Sequence, residues 1–105
     1  MYVLIVEYLV PIARIDELRP AHVEYLQRHY DDGTFLVSGR QDPPVGGLIV
    51  ATDVDRARLD EIVATDPFVT EGAARYHVVA FGPTMVADPV RDALAAAGVA
   101  LPAAS

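Results

Sequence analysis

The chain opens on Tyr2-Val3-Leu4-Ile5-Val6-Glu7-Tyr8-Leu9-Val10, where both alternating faces are apolar apart from Glu7. One face carries Tyr2, Leu4, Val6, Tyr8 and Val10 and the other Val3, Ile5 and Leu9, which predicts a strand over 2–10 covered on both sides. Pro11 ends it. From Asp16 to Asp32 the apolar residues Leu18, Tyr25 and Leu26 stand at helical spacing with His22 between them, and Gly33 suits the C-terminal cap. Proline is tolerated in the first helical turn, so Pro20 predicts a regular helix over about 18–31 with Asp16 as a candidate cap.

Thr34-Phe35-Leu36-Val37 reads as a second strand, and Ser38 to Gly47 reads as a loop because Gly39, Asp42, Pro43, Pro44, Gly46 and Gly47 crowd into it. Leu48-Ile49-Val50-Ala51 is a third strand and the hairpin partner of the second. Asp53 or Asp55 then caps a helix carrying Leu59, Ile62 and Val63 at the 3.6-residue period. Pro67 holds Asp66 out of helical geometry and closes that helix, and Arg75 to Gly82 form a fourth strand. The order β-α-β-β-α-β predicts a ferredoxin-like α+β domain, a four-stranded antiparallel sheet with both helices on one face. Its other face is bare, and the apolar first strand predicts that a second copy covers it, giving a homodimer. Residues 88–97 are alanine-rich and predict an extra C-terminal helix ended by Gly98 and Pro102, packed at a dimer edge or over a site entrance.

With 105 residues the chain is one domain with its core in about 2–82, long enough to bury roughly 60–68% of the surface its unfolded form exposes. Fifteen acidic against eight basic residues give a net charge of −7, which repels phosphate backbones and argues against a nucleic-acid partner. A hydrophobic share of 52% exceeds the ~45–50% of typical domains and adds weight to a partner-facing apolar surface. The apolar run at the start is short of the ~20 residues a membrane helix needs, and no basic leader precedes it, so the cytoplasm is the expected location. Zero cysteines remove disulfides, thiolate metal sites and cysteine nucleophiles from consideration.

Two residues suggest chemistry. His22 lies on the inward stripe of its helix, where it can act as a general acid or base near neutral pH. Asp66, read as the C-terminal end of the next helix, sits where the helix dipole disfavours negative charge and a cationic partner is welcome. Side-by-side helices would bring the two together, with Asp66 orienting the imidazole as a carboxylate does behind a catalytic histidine. The opposing readings are a structural histidine and a plain Asp-Pro helix stop. His29 is explained by its place near a helix C-terminus, His77 lies mid-strand, and the three histidines have no familiar zinc spacing, so no metal is expected. The glycines of 39–47 match no phosphate or dinucleotide loop, because no helix follows them. Tyr8 and Tyr25 have two readings, lining the pocket or packing in the core, and core packing is the stronger for both.

Arg19-Pro20-Ala21-His22 with Tyr25-Leu26, Gly33 before a strand ending in Ser38-Gly39, Gly46-Gly47 before the third strand, and Asp66-Pro67-Phe68 with Gly72 resemble, in this order, the YCII-related family. The resemblance covers roughly residues 2–82. It implies a ferredoxin-like fold assembled as a dimeric α/β barrel, an active site around His22 and Asp66, and lyase or isomerase chemistry on small ring compounds without a cofactor. Beside that pair, Ser38 and Gly39 are expected to bind a carbonyl or carboxylate oxygen, and Arg40, like Arg14, to attract an anionic substrate. The leading expectation is a cofactor-free acid/base enzyme on a small, cyclic or carbonyl-bearing molecule. A non-catalytic ligand-binding or dimerisation module is the rival, and cofactor-independent oxygenation of an aromatic is a third reading.

Overall fold

Strand pairing around the first strand sets the architecture of the computed structural model, which describes residues 1–102. The strands β1 (Tyr2–Tyr8), β2 (Phe35–Arg40), β3 (Gly46–Ala51) and β4 (Ala74–Ala80) form one sheet in the order β2-β3-β1-β4, and every adjacent pair is antiparallel. Helices α1 (Ile12–Asp31), α2 (Arg56–Ala64) and the single turn α3 (Pro67–Thr70) connect them, and α4 (Asp88–Ala96) follows the sheet. This is the ferredoxin-like α+β arrangement that the pattern predicted.

Register assigns each residue to a face, because directly paired residues share one. One set of rows reads Ser38, Ile49, Leu4, Val78 and then Arg40, Gly47, Val6, Tyr76 across β2, β3, β1 and β4. Leu4, Val6 and Ile49 in these rows are buried, and they form the core together with Ile15 and Tyr25 from α1, Leu59 and Ile62 from α2, and Phe68 from α3. The opposite face carries Val37, Val50, Val3, Val79 in one row and Gly39, Leu48, Ile5, His77 in the next. Val37, Leu48 and Val79 are exposed there. At the end of that face Glu7 receives Arg75 Nε at 2.7 Å and meets His77 Nε2 at 2.9 Å, and these contacts hold its carboxyl down at about 2.

Several boundaries differ from the sequence pattern, among them the ends of β1 and β4, which stop at Tyr8 and Ala80, two residues short of expectation. Helix α1 starts at Ile12, about six residues earlier than expected, with Pro20 inside it and Asp16 in its second turn instead of at a cap. An interior proline costs about 3 kcal/mol. The extra turns bury Ile15 completely and Leu18 in part, and a fully buried aliphatic side chain contributes on the order of 1.5–3 kcal/mol, so packing offsets the break. The second and third strands run further than expected, which places Ser38, Gly39 and Arg40 in β2 and shortens the loop to residues 41–45. Gly46 explains why. A Cβ at that position would lie 1.8 Å from the Val6 carbonyl oxygen, so the glycine that reads as a loop former permits close strand approach. Finally, the helix after Asp53 stops at Ala64, and Asp66 begins a new turn at α3.

The C-terminal segment docks at the end of the sheet remote from Tyr8. Asp53 accepts from the Met1 ammonium and from the Ala100 amide, and Val99 is buried. Among the described residues no helix is long and apolar enough to cross a membrane.

Gly46→Ala should destabilise the protein by more than about 2 kcal/mol, because backbone and not a flexible side chain blocks the added methyl. Urea denaturation measures this as a lowered midpoint, and an unchanged midpoint would contradict the strand contact.

Candidate active site

Pro67 forces Asp66 into an extended conformation, with φ −61° and ψ 126°, and then occupies the first helical position, where its missing N–H does no harm. Asp66 is thereby the N-cap of α3. Its Oδ1 accepts from the Phe68 amide at 3.0 Å, which reverses the expected setting: backbone donors favour the carboxylate where a helix C-terminus would have opposed it.

The same oxygen contacts His22 Nδ1 at 2.8 Å, with Asp66 fully buried and the His22 side chain 13% exposed. A carboxylate only accepts, so Nδ1 carries the proton and the neutral ring keeps its Nε2 lone pair. Nε2 has no hydrogen bond among the described residues. The imidazole lies flat on Phe68, with ring centroids 3.9 Å apart and 9° between planes. A bond at one edge and a stack on one face therefore fix the ring.

A third donor reaches Asp66 from the sheet. Tyr76 Oη donates to Oδ2 at 2.6 Å and lies 3.4 Å from Tyr25 Oη. Burial pushes the Tyr76 hydroxyl up, and Tyr25 and the Asp66 charge push it the same way, so it remains a donor. Burial likewise raises Tyr25. Every buried polar side-chain atom described has a partner, so the cluster is satisfied on its inner side.

On the outer side, His22 lines an open cleft of about 170 Å³. Its roof is Arg19, His22, Val23 and Leu26 of α1 with Phe68 of α3, and its floor is Val6, Tyr8, Gly47 and Ile49 with Ser38, Gly39 and Arg40 along β2. Gly47 makes room: it stands between Arg40 and Val6 in its row and adds no side chain to the floor. Ser38 Oγ bonds the Tyr30 hydroxyl behind it. Arg40 donates from Nη2 to Asp16 Oδ1 at 2.8 Å and from Nε to Tyr8 Oη at 3.4 Å. Gly39 pairs with Leu48, and the Gln41 amide bonds the Gly46 carbonyl two positions on, so ladder alternation turns the Gly39 amide into the sheet. It lines the cleft with backbone alone.

The five residues singled out in the sequence thus meet at one place, His22 and Asp66 in direct contact and Ser38, Gly39 and Arg40 across the cleft from the imidazole. Arg14 does not join them; it pairs with Glu17 and Glu71 on the surface. Tyr8 meets both of its readings, since it packs against the core and also forms part of the cleft wall. His29 is buried against Asp32, as a structural histidine would be. Tyr76 and Arg19 went unassigned from sequence. Arg19 is one turn before His22 and so shares its helix face, a signal the spacing carried. Tyr76 became visible only with the register that sets it beside Val6.

A family model described as the YCII-related domain matches residues 1–82, ending before α4. The chain belongs to the YCII-related family. No curated protein matches it. Among solved structures, this YCII-related chain is similar to 5-chloro-2-hydroxyhydroquinone dehydrochlorinase from Burkholderia phenoliruptrix in complex with 2,5-dihydroxybenzoquinone. The TM-score is 0.59 at 22% identity, covering 77% of this chain and 93% of that one. At that identity the likeness speaks for the fold.

Tyr76→Phe leaves one oxygen of a buried carboxylate without its donor and should cost about 1–3 kcal/mol of stability, read from urea unfolding. A change below a few tenths would mean that the hydroxyl does not support Asp66.

Proposed function

We propose that this YCII-related protein is a cofactor-independent acid/base enzyme of lyase or isomerase type, acting on a small organic molecule that is cyclic or aromatic. The observation that carries the reading is the His22–Asp66 contact at 2.8 Å on a histidine that lines a cleft and whose Nε2 has no hydrogen bond among the described residues. A buried, fixed carboxylate behind a histidine whose other nitrogen is unbonded is suited to proton transfer and adds little to packing that an apolar pair could not supply. A solved structure similar in fold is of a dehydrochlorinase holding a small cyclic compound, which accords with this reaction class.

In the reaction His22 Nε2 takes a proton from a carbon next to a carbonyl, and the C–H electron pair moves toward the carbonyl oxygen as an enolate. Asp66 stabilises the imidazolium and keeps the ring in place. In an elimination the enolate re-forms its carbonyl as a carbon–carbon double bond forms and the leaving group departs with its electron pair. In an isomerisation the imidazolium returns the proton to a different carbon. Ser38 Oγ and the Arg40 guanidinium face the developing oxyanion from the floor, and Gly39 leaves space along the strand.

A second copy covers the open sheet face in this reading, giving a dimeric α/β barrel with the sheets back to back. The apolar row Val37, Val50, Val3 and Val79 supports it, since such a stripe is unusual on a monomer's surface. The cleft lies on the helix side, so each protomer keeps its own. The protein works in this account without nucleic acid, membrane or metal, in the cytoplasm.

Screening hydroxyquinones, lactones and small aromatic acids for turnover, and for deuterium uptake from heavy water, tests the chemistry. On whichever compound wild type converts, His22→Gln should lower kcat by about 10²–10⁴-fold. Retained turnover in that variant would end the acid/base reading. In sedimentation at micromolar concentration the protein should run near twice 11.3 kDa, and a stable monomer would refute the dimer.

A further inference from the structure

The charges that line the cleft are all of one sign. Arg19 and Arg40 line it, and no aspartate or glutamate does, although the chain holds fifteen acids against eight bases. At physiological salt the Debye length is about 8 Å, so contacts inside the cleft outweigh the net charge of −7 spread over the surface.

The two guanidiniums differ in state. Arg40 is neutralised by Asp16 at 2.8 Å and steadied by Tyr8. Arg19 makes no ion pair or hydrogen bond among the described residues, yet it stands one turn before His22 on the same roof. A guanidinium presents a planar fork of donors that matches two oxygens of a carboxylate or of an ionised enol and its neighbouring carbonyl. A neutral ligand would gain little from that fork. For Arg40 any anionic ligand competes with Asp16, which reaches the guanidinium from α1.

Resting on the acid/base reading above, we infer that the substrate enters as an anion, carrying a carboxylate or an ionised enol or phenol. Arg19 grips its charged oxygens, and Arg40 exchanges Asp16 for the ligand. The uncharged body of the molecule lies on Val6, Gly47 and Ile49, with its reacting carbon toward His22 Nε2. Arg19 is then a binding residue and Asp16 a competitor that sets affinity without touching the ligand.

Benzoate and its neutral isostere benzamide test this by NMR titration of wild type, Arg19→Gln, Arg19→Lys and Asp16→Asn, each first checked for folding by circular dichroism. Wild type should bind benzoate at least about tenfold tighter than benzamide, since charge-assisted bonds are roughly twice as strong as neutral ones. Arg19→Gln should remove most of that preference, Arg19→Lys should keep part of it, and Asp16→Asn should tighten benzoate several-fold while leaving benzamide unchanged. Equal affinities in wild type, or a preference that survives Arg19→Gln, would overturn the inference. The readout is binding alone, so it fails separately from the reading beneath it. Turnover that depends on His22 without any anion preference leaves the acid/base reading standing, and an Arg19-dependent preference with turnover indifferent to His22 does the reverse.

Discussion

A fully buried carboxylate is expensive to desolvate unless its oxygens are satisfied, and at Asp66 three donors from three parts of the chain do so. The Phe68 amide comes from the turn that Asp66 itself starts, the imidazole from α1, and the phenol from β4. Meeting these demands fixes the position of α1 against α3, the seat of α3 on the sheet, and the orientation of the His22 ring. Phe68 serves twice, as an amide donor and as the surface on which the imidazole lies. Stability and the proposed chemistry therefore depend on one set of contacts.

The cleft follows from the same frame. Sheet register puts Arg40, Gly47, Val6 and Tyr76 in one row, so the residue with no side chain falls between the guanidinium of the edge strand and the apolar floor. Ser38 lies one row away on the same face. The hollow is thus an outcome of pairing and of glycine placement, and its positive lining stands against an acidic exterior.

Much of this was legible in the residues. Apolar runs bounded by Pro11, Gly33 and Pro67 gave the element order, and helical spacing placed His22 inward. Asp66-Pro67 marked a break correctly, but its nature depended on what came next: Phe68 supplies the amide that turns a stop into a cap. Pro20 misled because local propensity overstated its penalty, when Ile15 and Leu18 had a sheet to pack against. The glycines at 46 and 47 read as a loop because composition does not distinguish a residue that bends the chain from one that lets two strands approach. Tyr76 could not be found at all without register, since its partner is ten residues away in sequence and on a different element.

Strand β2 lies at the edge of the sheet and is hydrogen-bonded on one side only, and it carries Ser38 and Arg40. His22 and Asp66 are locked into the interior contacts of three elements. The edge-strand side of the hollow can accordingly drift in descendants of this chain, while the imidazole and its acid, to which the proposed function gives the proton transfer, are held fast by the need to fold. Under the proposed function, divergence of substrate within such a lineage would be written along this border strand and at Arg19, with the imidazole and its acid inherited intact.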